Sequence, residues 1–476
     1  MTILLKTKIA LLSASILSIG LSHISLAEPA QLPVISEQQN EVANTLIETA
    51  LASPLGFSIV ESLTTEVGAR LAGSEAEQRA RVWGKNLGEM LGFDRVSIEE
   101  FSMPFWDRGE LSLSLNAPYK QHLHGTALGG AAPSKGQIEA DVVYFRSINQ
   151  LISAGDNSLK GKVAFVDGDL MVKSQTGAGY GAANQRRRIG WQHAERSGAE
   201  ALLVRSVGSD SHRFPHTGMM SHKDGVWPNI PVVAVSNPDA DQLRRLNKLE
   251  SRLNVTLKSS SKWKGKRTSG NVVMDLVGRD KPEEIVLIGG HLDSWDLGTG
   301  ALDDGTGIAI TVAAAALIAK LPQRPKRTIR VVMFGAEEVG LLGAREYAKA
   351  HAAELANHVL ATESDFGART IWQLVSNVNP EANVVIDEIG AILSPLGIVR
   401  GGSDVKGGGP DIIPLVAKGV PTIRLNQNGM DYFDFHHTPD DTLDKIDPQE
   451  LAQNVAAYAA SIYLIADADA EFRPTK

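Results

Sequence analysis

The sequence has no cysteine among its 476 residues. Disulfide bonds are therefore excluded, and so is a zinc site built from thiolates, which leaves imidazoles and carboxylates as the side chains that could hold a metal. Long apolar runs are also scarce, and beyond the first residues we expect no segment with the ~18 apolar residues of a membrane span. The composition predicts a protein stabilised by its packed cores.

Positive charge is scarce as well. The formal net charge is −8, whereas proteins that bind nucleic acid or anionic membranes usually present a basic face. The dense basic run "NQRRRIG" at Asn184–Gly190 is short, and such runs are usually solvated helix faces. We therefore expect no nucleic-acid partner and interpret this run as exposed surface.

The first 27 residues differ from the rest of the chain. Two early lysines precede the run "IALLSASILSIGLSHISLA", which ends on small residues. This order is typical of a secretory signal peptide, and a membrane anchor is disfavoured because serines interrupt a short apolar part. We predict an exported protein, periplasmic or secreted, with a signal peptide at 1–27, no stable membrane insertion after its removal, and a flexible start or pro-segment at 28–36.

Three further regions follow from the patterning. Residues 37–119 begin with amphipathic helices and form the N-terminal helical part of a larger domain. Residues 120–262 hold short β-rich runs such as "GKVAFVDGD" and "IPVVAVS" around one helix, "GAANQRRRIGWQHAERSGA". This second region resembles the protease-associated domain, a module inserted as a lid into several exopeptidases.

Strands and helices alternate over residues 263–470. "EEIVLIGGHLD" and "RTIRVVMFGAEE" are predicted strands, "GTGIAITVAAAALIAKL" is a predicted helix, and so is "PDIIPLVAKG". Alternating units of this kind indicate an α/β fold with a mostly parallel, doubly wound sheet, whose sites lie at the carboxyl ends of the strands.

Five clusters of histidines and acids follow these strands or precede the final helix. They read "GGHLDSWD", "GALDDGTG", "FGAEEVGLLGA", "TESDFGA" and "DYFDFHHTPDDTLDKID". Burying so many charges without a cation would cost several kcal/mol for each uncompensated charge. Carboxylates with imidazoles suit zinc, so the clusters predict a metal site with two ions.

In this order the clusters resemble the motifs of the M28 metallo-exopeptidases, and the resemblance covers nearly the whole mature chain. It implies two Zn²⁺ per chain, with one bridging acid. The implied ligands are His291, Asp303, Glu338, Asp365 and His437. Asp303 would serve both ions, His291 and Asp365 the first, and Glu338 and His437 the second.

The resemblance also implies roles for three neighbours of the ligands. Glu337 corresponds to the general base, and Asp293 to the acid that orients a ligand imidazole. His436 stands where relatives place a group that supports the oxyanion; the alternative is a structural imidazole. Asp304 is expected to act as a helix cap or to support the ligands.

The sequence specifies the residues that contact the substrate less closely than it specifies the metal ligands. Asp411 is either an acid near the substrate or a helix N-cap. Arg400 and Arg424, at late strand ends, are candidates to bind a terminal carboxylate. Trp295 is expected to pack rather than to touch substrate.

Other polar residues near the clusters have structural interpretations. Asp440, Asp441 and Thr442 are expected to hold the His437 loop. The three histidines of "SHRFPHTGMMSH" are expected at the surface: His212, His216 and His222.

The members that the chain resembles most imply small peptide substrates, dipeptides above all, and are compatible with a homodimer. An aminopeptidase of the same family, a non-peptide amidohydrolase and a non-catalytic binding protein are the alternatives. Such an aminopeptidase would bind the free amine of its substrate instead of the terminal carboxylate.

Overall fold

Two mixed sheets of eight strands each dominate the fold. The computed structural model describes residues 34–402 and 407–473, so the predicted signal peptide lies outside the described residues. Within them the strands are β1 Arg95–Asp107, β2 Leu111–Ala117, β3 Gln121–His122, β4 Gly125–Ala127, β5 Ile138–Phe145, β6 Lys162–Val166, β7 Ala201–Arg205, β8 Val232–Val235, β9 Asn254–Ser259, β10 Lys262–Leu276, β11 Lys281–His291, β12 Arg327–Phe334, β13 His358–Glu363, β14 Ile371–Asn377, β15 Val399–Arg400 and β16 Thr422–Gln427.

The α-helices lie between and around these strands. In the described part of the chain they are α1 Glu37–Leu51, α2 Leu55–Ser62, α3 Glu75–Leu91, α4 Ile148–Ile152, α5 Tyr180–Arg188, α6 Gly190–Arg196, α7 Asn237–Lys248, α8 Thr306–Ala319, α9 Leu342–Ala350, α10 Asn383–Leu393, α11 Ile413–Val416, α12 Tyr432–Phe435 and α13 Pro448–Asp467.

The first sheet has the order β1-β10-β12-β11-β13-β16-β14-β15. Its centre is parallel, from β12 through β11 and β13 to β16. Strands β1, β10 and β12 pair antiparallel on one side, and β14 pairs antiparallel with β16 but parallel with β15 on the other. The sheet is therefore mixed, and its parallel centre is what brings three strand ends, at His291, Phe334 and Glu363, to one edge.

Both faces of this sheet are covered. On β11, Val286 and Ile288 pack with α8 and α13 in one core, while Ile285 and Leu287 pack with α9 and α11 in another. This follows from the period of two in a strand, which sends successive side chains to opposite faces. Because both faces are apolar, the strand reads as one continuous apolar run.

Helix α8 lies in the centre of the larger core. The segment Ala301–Ala319 is long and apolar enough to pass as a membrane span, and its residues 301–318 are all buried inside the protein. The expectation that no later segment would have this character is therefore wrong. The reason is that a helix surrounded by protein on all sides needs no polar stripe.

The second sheet has the order β3-β2-β9-β5-β6-β7-β8-β4, with α4 to α7 around it. We call residues 111–259, which hold all its strands, the second-sheet unit. Strand β2 lies before residue 120, so this sheet takes in part of the chain that the sequence assigned to the preceding region. The unit leaves the first sheet after β1 and returns to it at β10, which pair with each other.

Two helix predictions differ in detail. The predicted helix of the second-sheet unit is two helices, α5 and α6, that meet at Ile189. The predicted helix "PDIIPLVAKG" is only Ile413–Val416, because Pro414 fits only near a helix start and Gly419, with a φ of 79°, ends the turn.

Candidate metal centre

The predicted ligands converge at the carboxyl edge of the parallel strands. His291 is the last residue of β11, Glu337 and Glu338 follow β12, and Asp365 follows β13. Asp303 lies in the irregular turn before α8, and the His436–His437 pair follows α12. Parallel strands end at the same edge of a sheet, so residues distant in sequence meet here.

The first group of side chains consists of His291, Asp303 and Asp365. His291 Nε2 lies 3.1 Å from Asp303 Oδ1 and 3.6 Å from Asp365 Oδ1. One ligand atom from each residue lies within 4.8 Å of the others. Three such donors leave a position for water, as a catalytic zinc needs.

The second group shares Asp303 with the first. His437 Nε2 lies 3.2 Å from Asp303 Oδ2 and 3.0 Å from Glu338 Oε2. Asp303 therefore directs one carboxylate oxygen to each group. Its Oδ2 and Glu338 Oε1 are buried without a hydrogen-bond partner among the described residues, which fits a pair of cations between the groups.

The electrostatics of Asp303 favour the ionised form. Burial alone would raise the pKa of its carboxyl, but the imidazoles of His291 and His437 hold that pKa well below the usual range. The carboxylate is thus ready to accept two cations, because a ligand must be deprotonated to bind.

His436, predicted to support the oxyanion or to be a structural imidazole, lies close to Asp303. Its Nε2 is 3.6 Å from Asp303 Oδ2, and His436, His437 and Asp303 form a group that could itself hold a cation. The two imidazoles stack with their centroids 3.5 Å apart. Burial and the neighbouring His437 hold the pKa of His436 well below its usual range, so its ring is neutral.

Glu337 lines the cleft beside both groups. Burial raises the pKa of its carboxyl well above the usual value, and the nearby Glu338 and Asp365 act in the same direction although His291 opposes them. A carboxyl with a raised pKa is suited to take up and release a proton near neutral pH.

Asp293 contacts the ligands differently from the prediction. His291 Nδ1 donates to the backbone oxygen of Asp293 at 2.8 Å, whereas its carboxylate is 3.9 Å away. That carboxylate instead accepts from the backbone N–H groups of Glu337 and Glu338, at 2.9 and 3.3 Å. One residue therefore fixes the imidazole of His291 and the turn that bears Glu337.

Buried polar residues hold the turn that presents Asp303. Asp441 accepts from the backbone N–H groups of Leu302 and Asp303, at 2.6 and 3.2 Å. Asp304 accepts from His291 N and Gly307 N, both at 3.0 Å, and so caps α8 as expected. A Cβ on Gly307 would lie 1.9 Å from Ser364 O, so only glycine fits there.

A buried arginine crosses the base of the same loops. Arg70 has no exposed surface and donates to the backbone oxygens of Thr299 and Gly300, at 2.7 and 2.9 Å.

Trp295 packs against Trp106 as predicted, and its ring centroid lies 5.8 Å from that of His437.

Two predicted substrate contacts lie elsewhere. Arg400 is on β15 at the edge of the first sheet, where it binds Asp387 and the carbonyl of Gly401. Neither Arg400 nor Arg424 is among the residues that line the cleft. Arg400 stands apart because β15 is three strands away from β13, so the strand-end reasoning does not extend to it.

Asp411 is fully buried and does not line the cleft. Its backbone N–H donates to Glu363 at 2.8 Å, and its side chain caps no helix. Burial, followed by the neighbouring Glu363 and Glu337 carboxylates, raises its pKa well above the usual value. Asp411 is therefore neither a helix cap nor a residue of the cleft lining.

The cleft itself encloses about 850 Å³ between the metal groups and the second-sheet unit. Three arginines that the motifs do not predict line it, and no carboxylate lies within 4 Å of any of them in the described parts of the chain. They are Arg187, Arg188 and Arg345.

The basic run at Asn184–Gly190 is therefore not the exposed surface that the sequence predicts. Arg186 and Arg187 are only 6% and 5% exposed, and Arg188 alone is exposed as predicted. Along α5, Tyr180, Asn184 and Arg187 line the cleft. Their spacing of four and three residues is the period of one helix face, and this was the signal available in the sequence.

The histidines of the second-sheet unit also differ from the expectation. His212 and His222 are exposed, but His216 is 1% exposed and contacts the loop of His436 and His437. Its Nδ1 donates to His436 O at 2.7 Å.

Known proteins resemble this chain over most of its length. Residues 271–462 match peptidase family M28. Carboxypeptidase Q from Bos taurus is 34% identical over 435 residues, which are 90% of this chain and 89% of that protein. A peptidase M28 precursor from Shewanella amazonensis, known from a crystal structure, is 46% identical with a TM-score of 0.89, and the match covers 92% of this chain and 99% of that one. A zinc aminopeptidase from Bacillus subtilis shares the fold, at 21% identity and a TM-score of 0.62 over 89% and 98% of the two chains.

Proposed function

Because the chain belongs to peptidase family M28 and is a metallo-exopeptidase, we propose that it is an exported di-zinc enzyme that hydrolyses small peptides, dipeptides with a free carboxyl end above all. The observation that carries this proposal is the pair of side-chain groups that share Asp303. Two groups of three donors around one carboxylate suit a pair of ions rather than one.

The donor set fits zinc. His291, Asp303 and Asp365 would hold one ion, and Asp303, Glu338 and His437 the other. Two zinc ions in these positions would polarise the scissile carbonyl and lower the pKa of an attacking water. His436, whose ring is neutral and whose Nε2 lies 3.6 Å from Asp303 Oδ2, would either support the oxyanion or replace a ligand.

Glu337 supplies the proton transfers. Its carboxylate takes a proton from the water as the water attacks the carbonyl carbon, and then gives that proton to the leaving amine. Asp293 keeps the Glu337 backbone in place through its hydrogen bond at 2.9 Å, so the carboxylate needs little reorganisation between the two transfers.

The charges that line the cleft favour a substrate carboxylate over a substrate amine. The acids of the lining are Asp303, Glu337, Glu338 and Asp365. All four have a role as ligand or base, so none of these lining acids is left to pair with a free amine. Arg187, in contrast, is nearly buried and faces the cleft without a carboxylate partner in the described residues, as a group that reads a carboxylate would.

The second-sheet unit supports a preference for short substrates. We propose that it is the inserted protease-associated domain, since it leaves and rejoins the first sheet between β1 and β10. Its residues Tyr180, Met219 and Trp227 line the cleft together with the proposed ligands, and these bulky side chains would exclude long chains. Export and a homodimer remain predictions from the sequence.

The decisive experiment combines metal analysis with Glu337→Gln. We expect two zinc ions per chain in the purified protein and in the variant, and a loss of roughly 10²- to 10⁴-fold in kcat for dipeptides in the variant alone. Glu346→Gln, a matched change on the surface of α9, should keep full activity. A protein without zinc, or a Glu337→Gln variant with unchanged turnover, would contradict the proposal.

A further inference from the structure

Two residues of the second-sheet unit, His216 and Thr217, contact the loop that carries His437, and Asp210 holds His216 in place. We propose that Asp210, His216 and Thr217 position His437 for metal binding, so that the second-sheet unit is a part of the metal centre and not a removable cover. The inference rests on the proposed function in taking His437 as a metal ligand.

Hydrogen bonds join the two segments directly at His436 and His437. Thr217 N donates to His437 O at 3.0 Å, and His437 Nδ1 donates to Thr217 O at 3.2 Å. A carbonyl oxygen can only accept, so the proton of the His437 ring stays on Nδ1, and Nε2 keeps its lone pair for a metal. The orientation of this ligand therefore depends on a residue 220 positions earlier in the chain.

His216 fixes the same loop one residue earlier. Its Nδ1 donates to His436 O at 2.7 Å, and its Nε2 lies 2.5 Å from Asp210 Oδ2. Asp210 also accepts from Asn237 Nδ2 at 3.1 Å. Because both ring nitrogens face acceptors and the ring is buried, His216 has one orientation and cannot yield its contact with His436 by rotating.

The local sequence permits this close arrangement. A Cβ on Gly208 would lie 2.2 Å from His216 Nε2, so the backbone can pass the imidazole only at a glycine. His437 itself has a φ of 62°, which is unfavourable for a residue with a side chain and persists only where its surroundings determine it. The contacts from His216 and Thr217 supply that determination.

The other histidine ligand has no such dependence. His291 is oriented by the backbone oxygen of Asp293, two residues away in its own loop, at 2.8 Å. The contacts from the second-sheet unit thus act on the group with Glu338 and His437 and not on the group with Asp365. Loss of these contacts should weaken the binding of one metal ion and leave the binding of the other unchanged.

The test measures zinc affinity at each of the two sites by competition with a chelator. His216→Phe keeps the size of the ring and removes both of its hydrogen bonds; His212→Phe, on an exposed histidine of the same segment, is the matched control. We expect His216→Phe to weaken one zinc ion by roughly 10- to 100-fold and leave the other unchanged. The control should hold both ions as tightly as the unmodified protein.

A second variant and a second measurement keep the result unambiguous. If His216→Phe does not fold, Ser209→Ala takes its place, because it removes only the Ser209 Oγ bond to Asp434, 2.8 Å long. We expect it to weaken binding of the same zinc ion by a smaller factor. In the metal-free protein, hydrogen exchange of residues 433–438 should be faster in His216→Phe than in the control. Equal weakening of the binding of both ions, or no weakening of either, would overturn the inference.

The two proposals can fail separately. If the unmodified protein binds no zinc, the proposed function is wrong, while faster exchange of residues 433–438 in His216→Phe would still establish that His216 holds this loop. If the unmodified protein binds two zinc ions and His216→Phe binds both equally well, the proposed function stands and the positioning role is wrong.

Discussion

Arg187 offers the sharpest test of which end of a peptide the cleft reads. Its guanidinium has five N–H donors, and two of them are used: one donates to Thr217 O at 2.9 Å and one to the Tyr180 hydroxyl at 2.6 Å. At least one more, Nε, is buried without a partner among the described residues. Donors are therefore left for a substrate carboxylate, on a side chain that is only 5% exposed.

Arg187→Met removes the charge and keeps most of the apolar length. Thr217 O stays satisfied, because His437 Nδ1 also donates to it. Losing one partner of a desolvated, hydrogen-bonded charge pair costs about 2–3 kcal/mol in the lower part of the measured range, which is roughly 30- to 150-fold in kcat/KM. Arg188→Met, on the exposed neighbour, should cost no more than a few-fold since solvent screens its charge.

The assay compares a dipeptide with its C-terminal amide in both proteins. The unmodified enzyme should prefer the free acid by roughly the same 30- to 150-fold, and Arg187→Met should have nearly equal kcat/KM for the two substrates. Arg187→Lys should fall between them. If Arg187→Met keeps the preference of the unmodified enzyme for the acid, or if acylating the amine abolishes turnover while amidation does not, the carboxylate is read elsewhere or not at all.

Three further outcomes follow from buried groups. Asp441→Ala leaves the N–H groups of Leu302 and Asp303 without an acceptor and should lower the free energy of unfolding of the metal-free protein by about 1–3 kcal/mol in a denaturant titration; an unchanged midpoint would contradict this. Burial lowers the pKa of His358 from 6.5 to about 4, so this histidine is protonated at a lower pH in the folded state than in the unfolded state. Stability should fall as the pH drops from 6.5 to 4, by about 3 kcal/mol in total, and His358→Phe should remove that part of the slope. Finally, chelation should lower the melting temperature: at a free zinc concentration of 100 times Kd, each site contributes about 2.7 kcal/mol, and an unchanged melting temperature would mean that no zinc was bound.

The convergence of the histidine and acid clusters was predictable from the sequence because strand ends are local features, whereas the choice of ligands within the clusters came from the resemblance to M28 peptidases. An apolar run followed by "GGHLD" or "GAEE" marks where a buried strand stops, and parallel strands stop together. The same reasoning misplaced Arg400, since β15 pairs at the far edge of the sheet and its end is not at the metal centre. Strand order depends on contacts between distant residues, which no local pattern specifies.

Burial of charged side chains was the second limit. Arg187 and His216 both lie in segments whose composition is typical of exposed surface, yet Arg187 is buried beside Thr217 and Tyr180, and His216 is buried beside the loop of His436. Propensity describes a segment in isolation, whereas the environment of His216 depends on a residue 220 positions later. The α5 face could have been recognised from its period; the contact of His216 could not.

Helix α8 has a consequence for how the sequence can vary. Residues Thr306 to Ile318 are all buried, so the helix has no tolerant side. In an ordinary amphipathic helix, accepted replacements recur with the 3.6-residue period of the solvent face, and a lineage can drift there at little cost. Along α8 that periodicity is absent: replacements at every position are confined to exchanges of similar volume, and the stretch that follows Asp303 and Asp304 is held nearly fixed by packing alone.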